Sequence, residues 1–315
     1  MNSGFMKRVI GVLSLGIVFF IYSEEIFWSF LRLEDVFFGK LQTWLLYSAA
    51  TYIVLWLSYK YKANSLGSFF IIGATYGWII EGLVVLTMYE ELPLSISFTG
   101  LAWHSLITLF IGFVLFQDAL VKSNKKKILK LSCFVGAFWG WWGVSWQFEL
   151  GYLASVDQFF IYASILTILM FIGFLIYNKM NIQEFNPSKL EKIMIYAFIV
   201  VYFVIDLLYL GILIIILWIP LMSLNIFALK RHADKIEDES KAIDEEKKHY
   251  KITSETNLSK KNIVIMLIIP VVATMVYFGL IAMDLVLPYN ILLYLITTPL
   301  GFILYIYSLI KTLKR

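Results

Sequence analysis

Apolar stretches of about twenty residues recur along this chain, and short polar connections separate them. A helix that crosses the apolar core of a bilayer needs roughly 17–25 such residues. The chain is 60% hydrophobic and only 15% charged over 315 residues, and its mean hydropathy is +0.80. The apolar runs are continuous rather than alternating, which disfavours a β-barrel. The sequence therefore predicts an all-α, polytopic helical membrane protein.

Ten spans fit this pattern, and the stretch 193–229 is the one with two interpretations. A single helix of its 37 residues would be about 55 Å long, whereas a bilayer core is about 30 Å thick. Asp206 and Gly211 near its middle indicate a tight turn between two shorter helices, with Asp206 capping the turn. The predicted spans are 9–31, 43–59, 66–88, 100–120, 131–150, 158–177, 193–209, 211–229, 262–282 and 289–310.

The positions of the basic residues predict the orientation of these spans. Lys and Arg are enriched on the cytoplasmic side of membrane proteins. Ten spans with the N-terminus inside place 24 of the 26 basic residues inside and leave only Arg32 and Lys40 outside. If 193–229 were one span, 12 would lie inside and 14 outside. We therefore expect ten spans in a cell membrane, with both termini cytoplasmic.

Half of the carboxylates fall on the predicted outer side or in the outer halves of spans. Two explanations stay open. Insertion constrains basic residues and leaves acidic ones free to lie on either side. Alternatively, the outer acids form a vestibule for cations or protons.

The chain divides into three regions by composition. Residues 1–229 form a predicted bundle of eight spans, and 262–315 form a C-terminal transmembrane hairpin. Between them, 230–261 carries nine basic and eight acidic residues. The alternating charges are typical of a solvated, partly helical loop, here cytoplasmic, which could dock a partner. The single cysteine, Cys133, excludes an intrachain disulfide and any site built from several cysteines.

The spacing of two glycines predicts the orientation of one carboxylate side chain in the third predicted span. Gly73 and Gly77 form a GxxxG motif that allows close helix packing. Glu81 follows Gly77 by four residues, so it lies on nearly the same face and should point at a neighbouring helix or a cavity. In the fourth span, His104 belongs to a polar stripe at i, i+4 and i+8 that begins at Gly100 and ends at Thr108.

Three further carboxylates map to the same predicted end of the bundle. Glu90 and Glu91 follow the third span, and Glu149 closes the fifth. An ordinary solvated connection explains Glu90 and Glu91 as well as a functional role does.

The motif GAxxGW occurs at 73–78 and again at 136–141. It indicates either a parallel repeat of helix pairs, as in many transporters, or chance recurrence in a Gly- and Trp-rich background.

Carboxylates beside an imidazole in a partly dry site are suited to three kinds of chemistry. They can relay protons, bind a divalent cation, or act as general acid and base. The leading interpretation is a secondary transporter or permease, in which Glu81 is the coupling carboxylate and His104 and Glu149 lie nearby. The alternatives are a membrane-embedded enzyme for a lipid or isoprenoid substrate and a non-catalytic membrane scaffold. No sequence motif predicts nucleic-acid binding, and the substrate and any cofactor or metal are not specified.

Overall fold

The computed structural model describes residues 3–32, 35–240, 250–254 and 260–314. Over these residues the chain is all helical, without a β-strand. Each predicted span overlaps one of ten long helices. They are α1 (Gly4–Trp28), α2 (Phe37–Lys60), α3 (Leu66–Val84), α4 (Ser95–Val121), α5 (Lys125–Ser145), α6 (Val156–Lys179), α7 (Lys189–Leu210), α8 (Ile212–Ser240), α9 (Asn262–Ala282) and α10 (Tyr289–Leu313).

Eight of these helices are long and apolar enough to cross a membrane. The other two are α2 and α5, which have 24 and 21 residues and correspond to the predicted spans 43–59 and 131–150. Helix α5 begins within a run of lysines that includes Lys125, Lys126 and Lys127, and these charges lower its apolar character. The class of helical membrane protein is therefore supported, whereas ten crossings and the orientation of the termini stay predictions.

The chain turns sharply at Gly211, as the sequence predicts. Helix α7 ends at Leu210, and Gly211 adopts a left-handed φ of +60° that a side chain would disfavour. The rings of Phe203 and Trp218 lie 5.9 Å apart, although one continuous helix would separate them by about 22 Å along its axis. The predicted role of Asp206 is wrong: its side chain is buried, and its Oδ2 has no hydrogen-bond partner, so it does not cap the turn.

Helix α3 is the central helix of the bundle, and its glycines set its distance from α4. In its most apolar window, 94% of the residues are buried, compared with 11% in α7. A Cβ on Gly73 would lie 2.7 Å from the Cα of Ser105, and one on Gly77 would lie 2.2 Å from the carbonyl oxygen of Gly100. The predicted GxxxG face therefore packs directly against the backbone of α4.

The second copy of the GAxxGW motif packs differently. A Cβ on Gly140 in α5 would lie 2.1 Å from the carbonyl oxygen of Ala273 in α9. Gly136 likewise lies against Ile269 and Val272 of α9. Each glycine face thus admits a close neighbour, but the first copy packs on the next helix in the chain and the second packs on α9.

Connections that are predicted to share the inner side contact one another at one end of the bundle. Arg8 pairs with Glu191 at 2.6 Å, the Tyr59 hydroxyl donates to the Ile182 carbonyl at 2.9 Å, and Lys62 pairs with Glu237 at 2.7 Å. We call this the Arg8 end. The opposite end, which holds Arg32 and Lys40, is called the Arg32 end.

Part of the predicted charged loop is buried rather than solvated. Residues 230–240 continue α8 as helix, and 241–249 and 255–259 lie outside the described residues. Residues 250–254 cross the Arg8 end, where Ile252 and Ser254 are almost fully buried. Their backbone is held by side chains of the bundle: the Tyr177 hydroxyl donates to the Ile252 carbonyl at 2.8 Å, and the Gln117 amide donates to the Thr253 carbonyl at 2.9 Å.

Candidate functional site

The predicted partners Glu81 and His104 are in direct contact inside the bundle. Glu81 lies near the end of α3 and His104 in the first half of α4, and His104 Nε2 is 2.6 Å from Glu81 Oε1. Their exposed fractions are 6% and 2%. The close approach at Gly77 and Gly100 brings the two helices near enough for this contact. The sequence prediction that Glu81 points at a neighbouring helix is therefore correct.

A third helix completes the site through Ser23 of α1. His104 Nδ1 lies 3.1 Å from the Ser23 hydroxyl, so both imidazole nitrogens have partners. Ser23 also lies 2.8 Å from the Tyr76 hydroxyl and donates to the Thr108 hydroxyl at 3.1 Å. All of these side chains are buried. We call Ser23, Tyr76, Glu81, His104 and Thr108 the central cluster.

The hydrogen bonds of the central cluster allow two arrangements that differ by one proton. If Ser23 donates to Thr108, His104 Nδ1 must donate to Ser23, and the contact between Nε2 and Glu81 Oε1 holds one further proton, on the imidazole or on the carboxyl group. If Ser23 turns its proton toward Nδ1, a neutral imidazole keeps its contacts with Ser23 and Glu81, and Ser23 no longer donates to Thr108. Rotation of one hydroxyl group therefore accommodates the gain or loss of a proton.

The second oxygen of Glu81 also has a partner. Thr87, which follows α3, donates its hydroxyl to Glu81 Oε2. A carboxylate in an apolar interior is costly unless it is paired and hydrogen-bonded. Because both oxygens are bonded, the cluster can hold an ionised carboxylate at this depth.

Helical turns of the π type coincide with the cluster. Ser23 lies in the π turn Ile21–Glu25, Glu81 lies in Ile80–Val84, and His104 lies in Phe98–Leu115. The wider turn is visible in the hydrogen bond from the Val85 N–H to the Ile80 carbonyl, at 2.9 Å. Such turns are rare in helices and occur frequently at functional sites. Their coincidence on three helices marks this region as the candidate site.

Polar and charged side chains continue from the cluster toward the Arg32 end. The Tyr47 ring lies 6.3 Å from the His104 ring, and the Tyr47 hydroxyl donates to Glu24 Oε2 at 3.3 Å. Glu24 in turn pairs with Arg32 at 3.1 Å. Neighbouring Glu25, only 2% exposed, pairs with Lys40 at 2.6 Å. Both carboxylates are thus paired, with Arg32 from the connection after α1 and with Lys40 from the first turn of α2.

Aromatic rings separate the cluster from the Arg8 end. Phe19 contacts Tyr76 at 5.1 Å and Phe113 at 5.7 Å between ring centroids. Phe113 in turn contacts Tyr177 at 6.0 Å, and Tyr177 is the residue that holds Ile252. The polar path thus leads from the cluster to the Arg32 end, and an apolar layer closes the other direction.

The other three predicted candidates do not join the cluster. Glu90, Glu91 and Glu149 are all exposed. Glu91 accepts a hydrogen bond from the Tyr294 hydroxyl at 3.3 Å, and Glu149 accepts one from the Asn290 amide at 2.8 Å. The expectation that Glu149 lies near Glu81 is not supported by these contacts. For Glu90 and Glu91 the exposure fits the interpretation as an ordinary solvated connection.

Sequence analysis missed Ser23, Tyr76, Thr87 and Tyr47 as members of the site. Tyr76 and Thr87 flank Glu81 in sequence but carry no spacing signal of their own. Ser23 directly precedes the conspicuous Glu24, yet nothing in the sequence pairs α1 with α4. In the described part of the chain, no group of three or more His, Cys, Asp or Glu side chains could hold a metal ion.

The eight long apolar helices are compatible with an integral membrane protein, and its buried polar site lies at the meeting of α1, α3 and α4. Comparison with known proteins adds no narrower assignment. None of the known protein families matches this chain, and neither does any curated protein or solved structure.

Proposed function

We propose that this protein is a proton- or cation-coupled secondary transporter or permease of the cell membrane, in which Glu81 and His104 carry the coupling proton. The observation that carries this proposal is the direct 2.6 Å contact between these two buried groups. Ionisable residues inside a bilayer are costly and are typical of proton relays in transporters. The two hydrogen-bond arrangements differ by one proton, so the pair can bind a proton and release it.

The asymmetry of the path supports transport by alternating access. A proton that arrives at the Arg32 end meets Glu24, Tyr47 and then His104, although the step from Tyr47 to His104 is a ring contact and needs a water or a side-chain rotation. Beyond the cluster, the Phe19–Phe113 layer and residues 250–254 close the Arg8 end. Transport then requires the Phe19–Phe113 layer and residues 250–254 to move apart while the Arg32 end closes.

The test compares Glu81→Gln with Glu91→Gln in proteoliposomes. A pH-sensitive dye inside the vesicles reports proton movement when candidate solutes are added outside. We expect solute-driven proton movement in the wild type and in Glu91→Gln, because Glu91 is exposed and outside the cluster. Glu81→Gln should abolish it, since an amide cannot carry the proton.

A measurement without a substrate keeps this proposal testable. Infrared difference spectra between about pH 5 and about pH 8 report the protonation of carboxyl and imidazole groups. The wild type should show signals that both Glu81→Gln and His104→Gln remove, and Glu91→Gln should retain them. If Glu81→Gln leaves the spectra and the proton movement unchanged, Glu81 is not the coupling group.

The embedded-enzyme alternative has one specific observation in its favour. Ser23, His104 and Glu81 form a serine–imidazole–carboxylate chain, which is the arrangement that activates a serine nucleophile. Against it, Ser23 is 3% exposed and already bonded to Tyr76 and Thr108. Covalent labelling of the wild type, but not of Ser23→Ala, by a fluorophosphonate would favour the enzyme over the transporter. The scaffold alternative rests on 230–261, of which 241–249 and 255–259 lie outside the described residues.

A further inference from the structure

A second polar feature lies at the Arg8 end, away from the central cluster. It is a groove of about 600 Å³ between the end of α2, the connection that follows α6, and the start of α7. Its walls combine aromatic rings with two lysines, Lys60 and Lys192, and one carboxylate, Glu184. The remaining lining residues are Trp56, Tyr59, Phe185, Asn186, Pro187 and Tyr196.

We propose that this groove binds the phosphodiester headgroup of an anionic membrane lipid, with the ammonium groups of Lys60 and Lys192 on the phosphate. Neither lysine has a carboxylate partner among the described residues. Lys60 instead lies over the rings of Trp56 and Tyr61, at 5.7 and 5.0 Å. Two cations that share a groove and form no ion pair with a carboxylate favour an anionic ligand.

The nearby carboxylates leave the groove with a net positive charge. Glu191, close to Lys192 in sequence, is already neutralised by Arg8 at 2.6 Å and accepts a hydrogen bond from Tyr52 at 2.9 Å. Glu184 accepts from the Asn186 amide at 2.9 Å and is the single acid in the lining. Two lysines and one carboxylate match a headgroup with one net negative charge.

The surface beside the groove favours a lipid over free phosphate. The rings of Trp56 and Tyr196 contact each other at 5.8 Å along one wall, and such rings are enriched where a protein meets the headgroup layer. On either side of Tyr196 along α7 lie exposed apolar side chains such as Ile193 and Val200. An acyl chain attached to a phosphate in the groove would lie along this face, whereas a free anion gains nothing from it.

Binding of phosphatidylglycerol by the purified full-length protein tests this proposal. Retention of phosphatidylglycerol and phosphatidylcholine is compared by native mass spectrometry after delipidation and titration. The variant Lys60→Gln/Lys192→Gln should bind phosphatidylglycerol roughly 30-fold more weakly than the wild type, since each juxtamembrane lysine contributes to binding of anionic lipid. Binding of phosphatidylcholine should change little.

The matched control is Lys126→Gln/Lys130→Gln, which removes two exposed lysines of α5 that do not line the groove. This control should retain wild-type affinity, and Lys60→Arg/Lys192→Arg should largely restore binding. Glycerol phosphate added at millimolar concentration distinguishes a free anion from a lipid, and it should not compete. The lipid site would be overturned if the control variant lost as much binding as the groove variant. It would also be overturned if the groove variant bound phosphatidylglycerol as tightly as the wild type, or if glycerol phosphate competed fully.

Discussion

Buried carboxylates at the centre and at the edge of this bundle differ in their hydrogen bonding. At the centre, Glu81 has a partner on each oxygen, namely His104 and Thr87. At the edge, Asp206 of α7 is similarly buried, but its Oδ2 has no hydrogen-bond partner. Burial alone therefore does not identify a functional acid. Hydrogen-bond partners identify it better, because they show where the fold stabilises an ionised carboxylate.

Removal of one member of the central pair should give the largest effect on stability. In Glu81→Ala, His104 loses its acceptor and Thr87 loses its bond inside the bundle. Loss of one partner of a buried pair costs about 3–5 kcal/mol. We expect this variant to show a markedly lower unfolding temperature in detergent than the wild type.

The corresponding change at the edge is Asp206→Ala. It removes an acid with an unpartnered buried oxygen, so its free energy of unfolding should stay within about 1 kcal/mol of the wild type or rise. A loss in Asp206→Ala equal to that in Glu81→Ala would show that hydrogen-bond partners do not distinguish the two carboxylates.

The space around glycine residues also differs between the centre of the bundle, at Gly77 of α3, and α9. A Cβ on Gly77 would meet the backbone of Gly100 at 2.2 Å, and backbone cannot move aside as a flexible side chain can. Gly77→Ala should therefore separate α3 from α4, at a cost of about 1–3 kcal/mol. It should also weaken the Glu81–His104 contact, which the infrared spectra would report.

The control for this substitution is Gly279→Ala in α9. There the nearest atom to an added Cβ is the flexible end of Met283 at 3.8 Å, an ordinary contact. Because alanine favours a helix over glycine by about 1 kcal/mol, this variant should be neutral or slightly more stable. Similar thermal stabilities of the two alanine variants would contradict the close packing of α3 on α4.

The sequence was sufficient for features that depend on one helix at a time. Continuous apolar runs placed the ten helices, and Gly211 placed the turn between α7 and α8. The i, i+4 spacing from Gly77 to Glu81 predicted which way the carboxylate faces, because the period of a helix is fixed. His104 was a candidate because an ionisable side chain is rare within a span.

Features that depend on which helices meet could not be read in the same way. The contact of Ser23 with His104 joins residues 81 positions apart, and no local pattern carries that pairing. Residues 250–254 belong to a charged segment whose composition indicates a solvated loop. They are buried because side chains such as Gln117 and Tyr177 satisfy their backbone. Glu149 was predicted to lie near Glu81, but it is exposed and bonds to Asn290 instead.

The smallest expected effect concerns Asp35 at the Arg32 end. Burial raises the pKa of this carboxyl, but the backbone N–H of Arg32 and the ammonium of Lys40 outweigh it, so its pKa lies below the ordinary value. The Arg32 N–H is 2.9 Å from Asp35 Oδ2, and Lys40 is 3.0 Å from the same oxygen. Asp35 therefore connects the two cations that bind Glu24 and Glu25.

A group whose pKa is lower in the folded state stabilises the protein above its unfolded pKa of about 3.9. That contribution is lost as the pH falls through the lower, folded pKa. Asp35→Asn should reduce stability by about 1 kcal/mol near neutral pH, and the difference from the wild type should shrink as the pH approaches the folded pKa. Unfolding temperatures measured from about pH 3 to about pH 7 would check this. A difference that is constant across this range would mean that the ion pairs of Asp35 contribute nothing to the Arg32 end.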